Sequence, residues 1–217
     1  REGGRVGSFW GFQFLRNCAD LASSGGGRDC GQFDVNDLGQ LVYVGAGNTW
    51  QDGVAKGLWG STGTVDGKTY KWGFPIEPDA GSDLAFYELG NSQPDLNASL
   101  GQDFQWNNFG VSFLLDGEWG ANIYNMSEQW QCRDWHCQAA DMAGVSDELK
   151  KPITFFGALQ ARNQPNSHFV ESADFVKLRE VSIRYTVPGD RLPNALLQAG
   201  LTQATINFIG RNLKTWT

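Results

Sequence analysis

The residues of this chain that could do chemistry are few, and their spacing argues against catalysis. The two histidines, His136 and His168, stand apart from any Ser or Cys nucleophile motif. Neither Gly-x-Ser-x-Gly nor His-Glu-x-x-His occurs, and the 24 acidic residues offer no carboxylate pair whose geometry follows from spacing. The chain is therefore read as a non-enzyme. Gly63-Thr64-Val65-Asp66-Gly67-Lys68-Thr69 is superficially similar to a phosphate-binding P-loop. It has three residues between its glycines where that motif needs four, and no βα unit surrounds it. A surface hairpin is the expectation there.

Metal and redox chemistry rest on four cysteines in two local pairs, Cys18/Cys30 and Cys132/Cys137. Cys132, His136 and Cys137 could begin a zinc site, but no second Cys-x-x-Cys or His pair completes it. Local pairs within loops read as disulfides of an oxidising compartment. Closing a loop of about 13 residues would contribute roughly 3 kcal/mol in the chain-entropy model. Asp34, Asn36 and Asp37 could offer oxygens to calcium, yet the twelve-residue loop with its terminal Glu is missing. A solvated acidic turn is the better reading, and neither a metal nor a cofactor is expected.

Binding chemistry is more promising. Trp50, Trp59, Trp72, Trp130 and Trp135 lie in polar, glycine-rich stretches. Exposed indoles stack on sugar rings or pack on partners; the competing reading is that they pack these stretches internally. Lys plus Arg number 17 against 24 acids, a net charge of −7, so a phosphate backbone would find no neutralising surplus and nucleic acid is an unsuitable partner.

The elements that must position these groups are β-strands. The composition, with 28 Gly, 14 Phe and 9 Trp, suits turns and packed sheet faces. No run approaches the ~20 apolar residues of a membrane helix, which does not exclude a barrel whose strands need only ~9–11. The clearest segment is 95–124. Leu96, Ala98, Leu100, Phe104 and Trp106 alternate with Asn97, Ser99, Gly101, Asp103 and Gln105, Gln102 being the exception on the apolar side. After Asn107-Asn108, Phe109, Val111, Phe113, Leu115 and Trp119 alternate with Gly110, Ser112, Asp116 and Glu118. Asn-Asn suits a two-residue type I′ turn. That turn sets Trp106 opposite Phe109, Phe104 opposite Val111 and Leu100 opposite Leu115, so both apolar faces coincide, as one hairpin requires.

Residues 180–187 and 204–211 alternate in the same way, and residues 5–15 read as a further strand. Pro188-Gly189-Asp190 turns, and 193–197 can form a short helix. Long polar connections, 16–92 and 125–170, oppose short ones, 107–108 and 188–201. Long strands with this asymmetry point to an antiparallel transmembrane β-barrel segment with long extracellular loops. The rival reading is a secreted carbohydrate-binding β-sandwich, whose strands also alternate. In a barrel Asn97, Asp103, Asp116, Glu118, Arg184 and Arg211 would face the lumen, since a charge facing lipid at mid-membrane costs about 2–4 kcal/mol.

Four segments resemble the C-terminal barrel of SusC/RagA-type TonB-dependent outer-membrane transporters. Gly7-Ser8-Phe9-Trp10-Gly11-Phe12 is similar to the family's G-S-F-Y-G-Y strand. Leu89-Gly90-Asn91, Pro94-Asp95 and Asn122-Ile123-Tyr124-Asn125 are similar to its G-N-P-x-P-D … N-D-I-Y-N stretch. Phe169-Val170-Glu171-Ser172-Ala173-Asp174-Phe175 through Val181, with Tyr185-Thr186-Val187-Pro188, resembles V-E-D-A-S-F-L-R-L-R-N-V … Y-T-L-P, and Gly210-Arg211-Asn212-Leu213-Lys214-Thr215-Trp216-Thr217 resembles G-R-N-L-x-T-W-T. Ser92 departs from the family's usual proline, and its D-x-N-G-D-G loop has only a loose echo in Asp34-Val35-Asn36-Asp37. The resemblance implies a bacterial outer-membrane location and uptake of a glycan- or peptide-like nutrient. It also implies a SusD-like surface lipoprotein, TonB acting through a plug, and outer-membrane lipid as partners. On this reading residues 1–217 are about five strands of a larger barrel, with the plug and the closing strand outside the chain.

Overall fold

The computed structural model describes residues 4–23, 29–160 and 164–217. The Gly/Ser-rich stretch between Cys18 and Cys30 falls largely outside them. The described fold is mostly antiparallel β with a few short helices. Twelve strands occur in the order β1 (Ser8–Gly11), β2 (Phe33–Val35), β3 (Leu41–Tyr43), β4 (Thr62–Val65), β5 (Lys68–Lys71), β6 (Tyr87–Asn91), β7 (Leu96–Trp106), β8 (Phe109–Trp119), β9 (Asn122–Tyr124), β10 (Val170–Ser172), β11 (Phe175–Pro188) and β12 (Gln203–Trp216). The α-helices are α1 (Cys18–Ser23), α2 (Asp52–Ala55), α3 (Met126–Arg133), α4 (Ile153–Leu159) and α5 (Asn194–Gln198). They divide between two compact units: Arg1–Ser92 with Ile123–Glu171, and Gln93–Asn122 with Ser172–Thr217.

The second unit is a four-stranded sheet in the order β12-β11-β8-β7. Its β7–β8 register pairs Trp106 with Phe109, Phe104 with Val111, Gln102 with Phe113 and Leu100 with Leu115, as the alternation requires. The turn differs from expectation. Only Asn107 has positive φ, 51°, so it is not type I′; Asn108 turns its carbonyl to accept from the Thr186 amide at 2.8 Å. The short connections 107–108 and 188–202 lie at one end of the sheet, since Phe109 pairs with Tyr185 and Tyr185 with Ile206. No closed barrel is formed by these four strands.

β11 and β12, at 14 residues each, are longer than their alternation indicated. The reason is a pair of irregularities. Leu178 pairs with Leu115 and Glu180 with Leu114, leaving Arg179 bulged out of β11. On β12, Asn212 takes a left-handed φ of 50° between the pairs Glu180–Arg211 and Leu178–Lys214. An inserted residue inverts the parity of every position beyond it. Val176 and Leu178 therefore share a face with Val181 and Ile183, although their numbers have opposite parity.

In the first unit the long connections 16–92 and 125–170 carry short elements and a core of their own. Hairpins β2–β3 and β4–β5, the latter turning at Asp66-Gly67 as expected of 63–69, surround a core of Leu15, Leu41, Val42, Val44, Trp50, Tyr70 and Trp72. Phe155, Phe156, Leu159 and Phe169 form a second cluster around Cys132 and Cys137. The expected strand 5–15 shortens to β1, which pairs with β6 across a bulge at Phe9/Trp10. Beyond Gly11 the chain runs through the core: Phe12, Phe14 and Leu15 are at most 1% exposed. Their neighbouring amides go to separate partners, Phe12 N to Pro165 O, Gln13 N to Leu84 O and Leu15 N to Ile76 O. Amides satisfied this way do not build a ladder, yet each has a partner.

Both cysteine pairs are disulfides, Cys18–Cys30 and Cys132–Cys137. The acidic turn is committed to protein partners. Asp34 accepts from Trp50 N at 3.0 Å, Asn36 Oδ1 accepts from Gln40 N at 2.9 Å, and Asp37 pairs with Lys151 at 2.6 Å.

Candidate functional site

Two surfaces come out of this fold. The first is the pair of faces of the four-stranded sheet. One face carries Leu100, Phe104, Phe109, Ile183, Ile206 and Phe208, placed together by the register. They stand open: Phe104 is 58%, Ile206 50% and Phe208 70% exposed, and Trp106 at the turn end is 79%. Folding a soluble sheet normally hides one such face; a contiguous apolar patch of this kind marks a contact surface.

The opposite face collects all six residues read as lumen-facing: Asn97, Asp103, Asp116, Glu118, Arg184 and Arg211. They are tied across strands. Arg184 donates to Asp103 at 3.1 Å and to Gln105 at 2.8 Å, and Arg211 donates to Glu180 at 2.9 Å. The bulged Arg179, missed by the alternation, reaches Asp116 at 2.7 Å, while Ser99 donates to the same carboxylate at 2.9 Å. Leu114 and Ile209 interrupt this face, the latter opposite Ser182. Charged pairs thus stand in a row on one face of the sheet and exposed apolar chains on the other.

The second surface is a cleft of about 980 Å³ in the first unit. One wall comes from β5 and the following turn, with Lys68, Tyr70, Lys71 and Phe74; the other comes from α3 and α4, with Arg133, Trp135 and Gly157. Local chemistry sets α3. Asn125 Oδ1 caps the helix start by accepting from Glu128 N at 2.9 Å, and its side-chain Nδ2 donates to Glu128 Oε2 at 3.2 Å. Arg133 closes the last turn, where a cation suits the helix dipole. The disulfide then folds Trp135 back onto α4 at Gly157, where a Cβ would meet the indole nitrogen at 2.7 Å.

The five tryptophans do not form one exposed set. Trp50 and Trp72 are core, 7% and 3% exposed, and Trp72 Nε1 donates to Val44 O at 2.6 Å. Trp59 is half-buried and packs edge-on against Trp72 and Phe155 at 5.3 and 5.8 Å. Trp130 and Trp135 remain open, at 47% and 56%. Trp59 and Trp135 line the cleft.

Among the groups of this unit with displaced proton affinities are His168, Glu128 and Tyr70. Burial lowers His168 to about 4. Burial, helped by the neighbouring Glu171 carboxylate, raises Glu128. Burial, with the charges of Asp79 and Asp66, raises the Tyr70 phenol, which stays protonated and able to donate.

No family model matches this chain. TonB-dependent receptor P26 of Formosa agariphila is 26% identical over 134 residues, covering 59% of this chain and 13% of that protein. Two solved structures of the RagAB peptide importer also align. The open-open state gives a TM-score of 0.45 at 17% identity over 71% of this chain and 16% of the other. The closed-closed state gives 0.46 at 15% identity over 86% and 19%. The chain thus spans a small part of the length of the proteins it matches, and in sequence it is similar to a TonB-dependent receptor.

Proposed function

We propose that this chain is a segment of the wall of an outer-membrane β-barrel, together with a folded loop unit, in a transporter that takes up a glycan- or peptide-like nutrient under TonB drive. The observation that carries the reading is the uncovered apolar face of the four-stranded sheet, backed by a face of cross-strand ion pairs. Strands of 11 to 14 residues are long enough to cross the hydrocarbon core when tilted. Both outer strands, β7 and β12, leave an edge unpaired among the described residues, and lipid tolerates only closed sheets, so further strands would complete the wall. The part is passive and not enzymatic: apolar side chains meet lipid, and paired charges line a wetted lumen. The sequence resemblance supplies the expected partners, a plug gripped by TonB and a SusD-like surface lipoprotein.

A carbohydrate-binding sandwich would need a second sheet on the apolar face, whereas the described residues of 93–122 and 172–217 form one sheet only. The test is quenching by lipid. In bilayers whose acyl chains carry bromine, the complete protein should lose fluorescence from Trp106 and Trp119, and a Trp106→Phe/Trp119→Phe variant should lose that quenched component. Equal quenching of the two proteins would refute the lipid-facing assignment.

A further inference from the structure

The cleft between the β5 turn and the α3–α4 pair has three properties that internal packing does not require. Trp135 projects into it from a left-handed backbone, φ 62°, which is an outlier for so bulky a residue. Such strain persists only where its surroundings enforce it, and it gathers at ligand clamps. Here the Cys132–Cys137 bridge and the Trp135 N to Cys132 O hydrogen bond, 3.1 Å, enforce it. Next, Lys71 and Arg133 have no carboxylate partner among the described residues, in a chain whose net charge is −7. Lys68, beside them, is neutralised by Asp79 at 2.6 Å. The two free cations rest on rings instead, Lys71 over Phe74 at 5.8 Å and Arg133 over Trp130 at 4.7 Å, which leaves their N–H groups to donate. Lastly, the Tyr70 hydroxyl is buried at the cleft wall without a hydrogen-bond partner among the described residues. Native proteins rarely leave a buried hydroxyl so.

Flat indoles and two cations without a carboxylate partner among the described residues suit one ligand chemistry. We propose that this cleft binds an acidic oligosaccharide, with sugar faces against Trp135 and Trp59 and its carboxylate or sulfate groups on Lys71 and Arg133. Aromatic rings supply dispersion and C–H contacts to a pyranose face at low entropy cost, and guanidinium pairs with planar oxyanions through two parallel bonds. The wall offers little to the aliphatic side chains of a peptide: its aliphatic residues are Pro75, Ile76 and Ala158. The ligand's onward fate rests on the import reading; its binding does not.

The experiment uses the complete protein in detergent, with calorimetry and tryptophan fluorescence as readouts. The probes are oligogalacturonate for carboxylate, a carrageenan oligosaccharide for sulfate, maltoheptaose as the neutral sugar, and hexaglutamate as the acidic peptide. One of the acidic sugars should bind at least about tenfold more tightly than maltoheptaose, and which one does so tells carboxylate from sulfate. Lys71→Gln and Arg133→Gln should each weaken it about tenfold, the usual size of a lost charged hydrogen bond. Trp135→Ala should remove most of the affinity, and Lys71→Arg should retain it. Circular dichroism and unchanged protease resistance of the first unit establish that the variants fold. Equal binding of neutral and acidic sugars, undiminished binding by Lys71→Gln/Arg133→Gln, preference for hexaglutamate, or no binding at all would each overturn the proposal. Solute uptake by cells is read separately. Intact uptake with no acidic-sugar binding refutes the cleft alone, and binding without any uptake refutes the import reading alone.

Discussion

Lys151 Nζ lies 2.6 Å from the Asp37 carboxylate and 4.9 Å above the ring of Trp50, joining segments 114 residues apart. The two partners are buried unequally, their side chains 6% and 39% exposed. That inequality has a consequence for mutation. Asp37→Ala leaves a buried ammonium with only the rings of Trp50 and Phe155 for company, whereas Lys151→Met leaves a carboxylate that can return to water. Asp37→Ala should therefore cost more, about 1–2 kcal/mol after allowance for solvent screening, and Lys151→Met less than about 1 kcal/mol. Hydrogen exchange of the 33–44 and 153–159 amides in the complete protein measures both; the reverse order would show the pair to be dispensable.

Leu100 and Ser99 are adjacent but on opposite faces, Leu100 opposite Leu115 and Ser99 bonded to Asp116 at 2.9 Å. Leu100→Arg should impair barrel assembly, at about 2–4 kcal/mol for a cation near the bilayer midplane. Ser99→Arg, placed beside Asp116, should assemble normally. Heat-modifiable gel mobility reads the assembled fraction, and equal assembly of the two variants would contradict the assignment of faces.

Trp72 and Trp130 separate packing from exposure. Trp72 is 3% exposed and Trp130 47%. Trp72→Ala should destabilise the first unit by about 3–5 kcal/mol, through the cavity and the lost bond to Val44 O. Trp130→Ala should change stability by less than about 1 kcal/mol. Pulse proteolysis of the complete protein, scored on fragments of the first unit, distinguishes them.

The disulfides differ in the length of loop they close, with sequence separations of 12 and 5. The chain-entropy model gives about 3 kcal/mol for Cys18–Cys30 and about 2 kcal/mol for Cys132–Cys137. Intact mass after alkylation should rise only when reductant is present. Cys132→Ser/Cys137→Ser should release the Trp135 backbone, seen as faster exchange of the 133–137 amides, whereas unchanged exchange would mean that packing on α4 alone holds the loop.

His168 is buried against Phe169, ring centroids 4.8 Å apart, and its pKa falls to about 4 from 6.5. The unfolded chain therefore binds a proton that the folded unit refuses. Stability from the neutral ring is complete above about pH 6.5 and declines as pH falls toward 4, by about 1–2 kcal/mol at pH 5. His168→Phe should flatten the loss between pH 7 and 5 in thermal melts of the complete protein. An identical acid sensitivity would assign it to carboxylates whose pKa folding lowers, such as Asp52 and Asp147.

The hairpin from Leu96 to Trp119 was legible because its information is local. Period-two alternation and a two-residue turn specify faces and register within 24 residues, and a slip by one position would turn every apolar chain to the polar side. The cysteine pairing was legible for the same reason, each bridge closing on a near neighbour. Asn97, Asp103, Asp116, Glu118, Arg184 and Arg211 share one face of the sheet, four of them within that hairpin.

What only the tertiary structure decided depends on partners far apart in the chain. Polar composition concealed the core of the first unit, because Trp50, Tyr70 and Trp72 are isolated among Gly and Asp and become interior only when Leu15 and Leu41 arrive from elsewhere. The bulge at Arg179 reversed the parity of β11, and no local pattern announces an extra residue. The cleft needed β5 and α3–α4 brought together by pairs such as Trp59–Phe155. Sequence by itself therefore determined the β7–β8 hairpin, its two faces and the two disulfides, all set by residues near one another in the chain. The tertiary structure decided which tryptophans are core and which stay exposed, because burial depends on which distant segments meet, not on the stretch in which a residue sits.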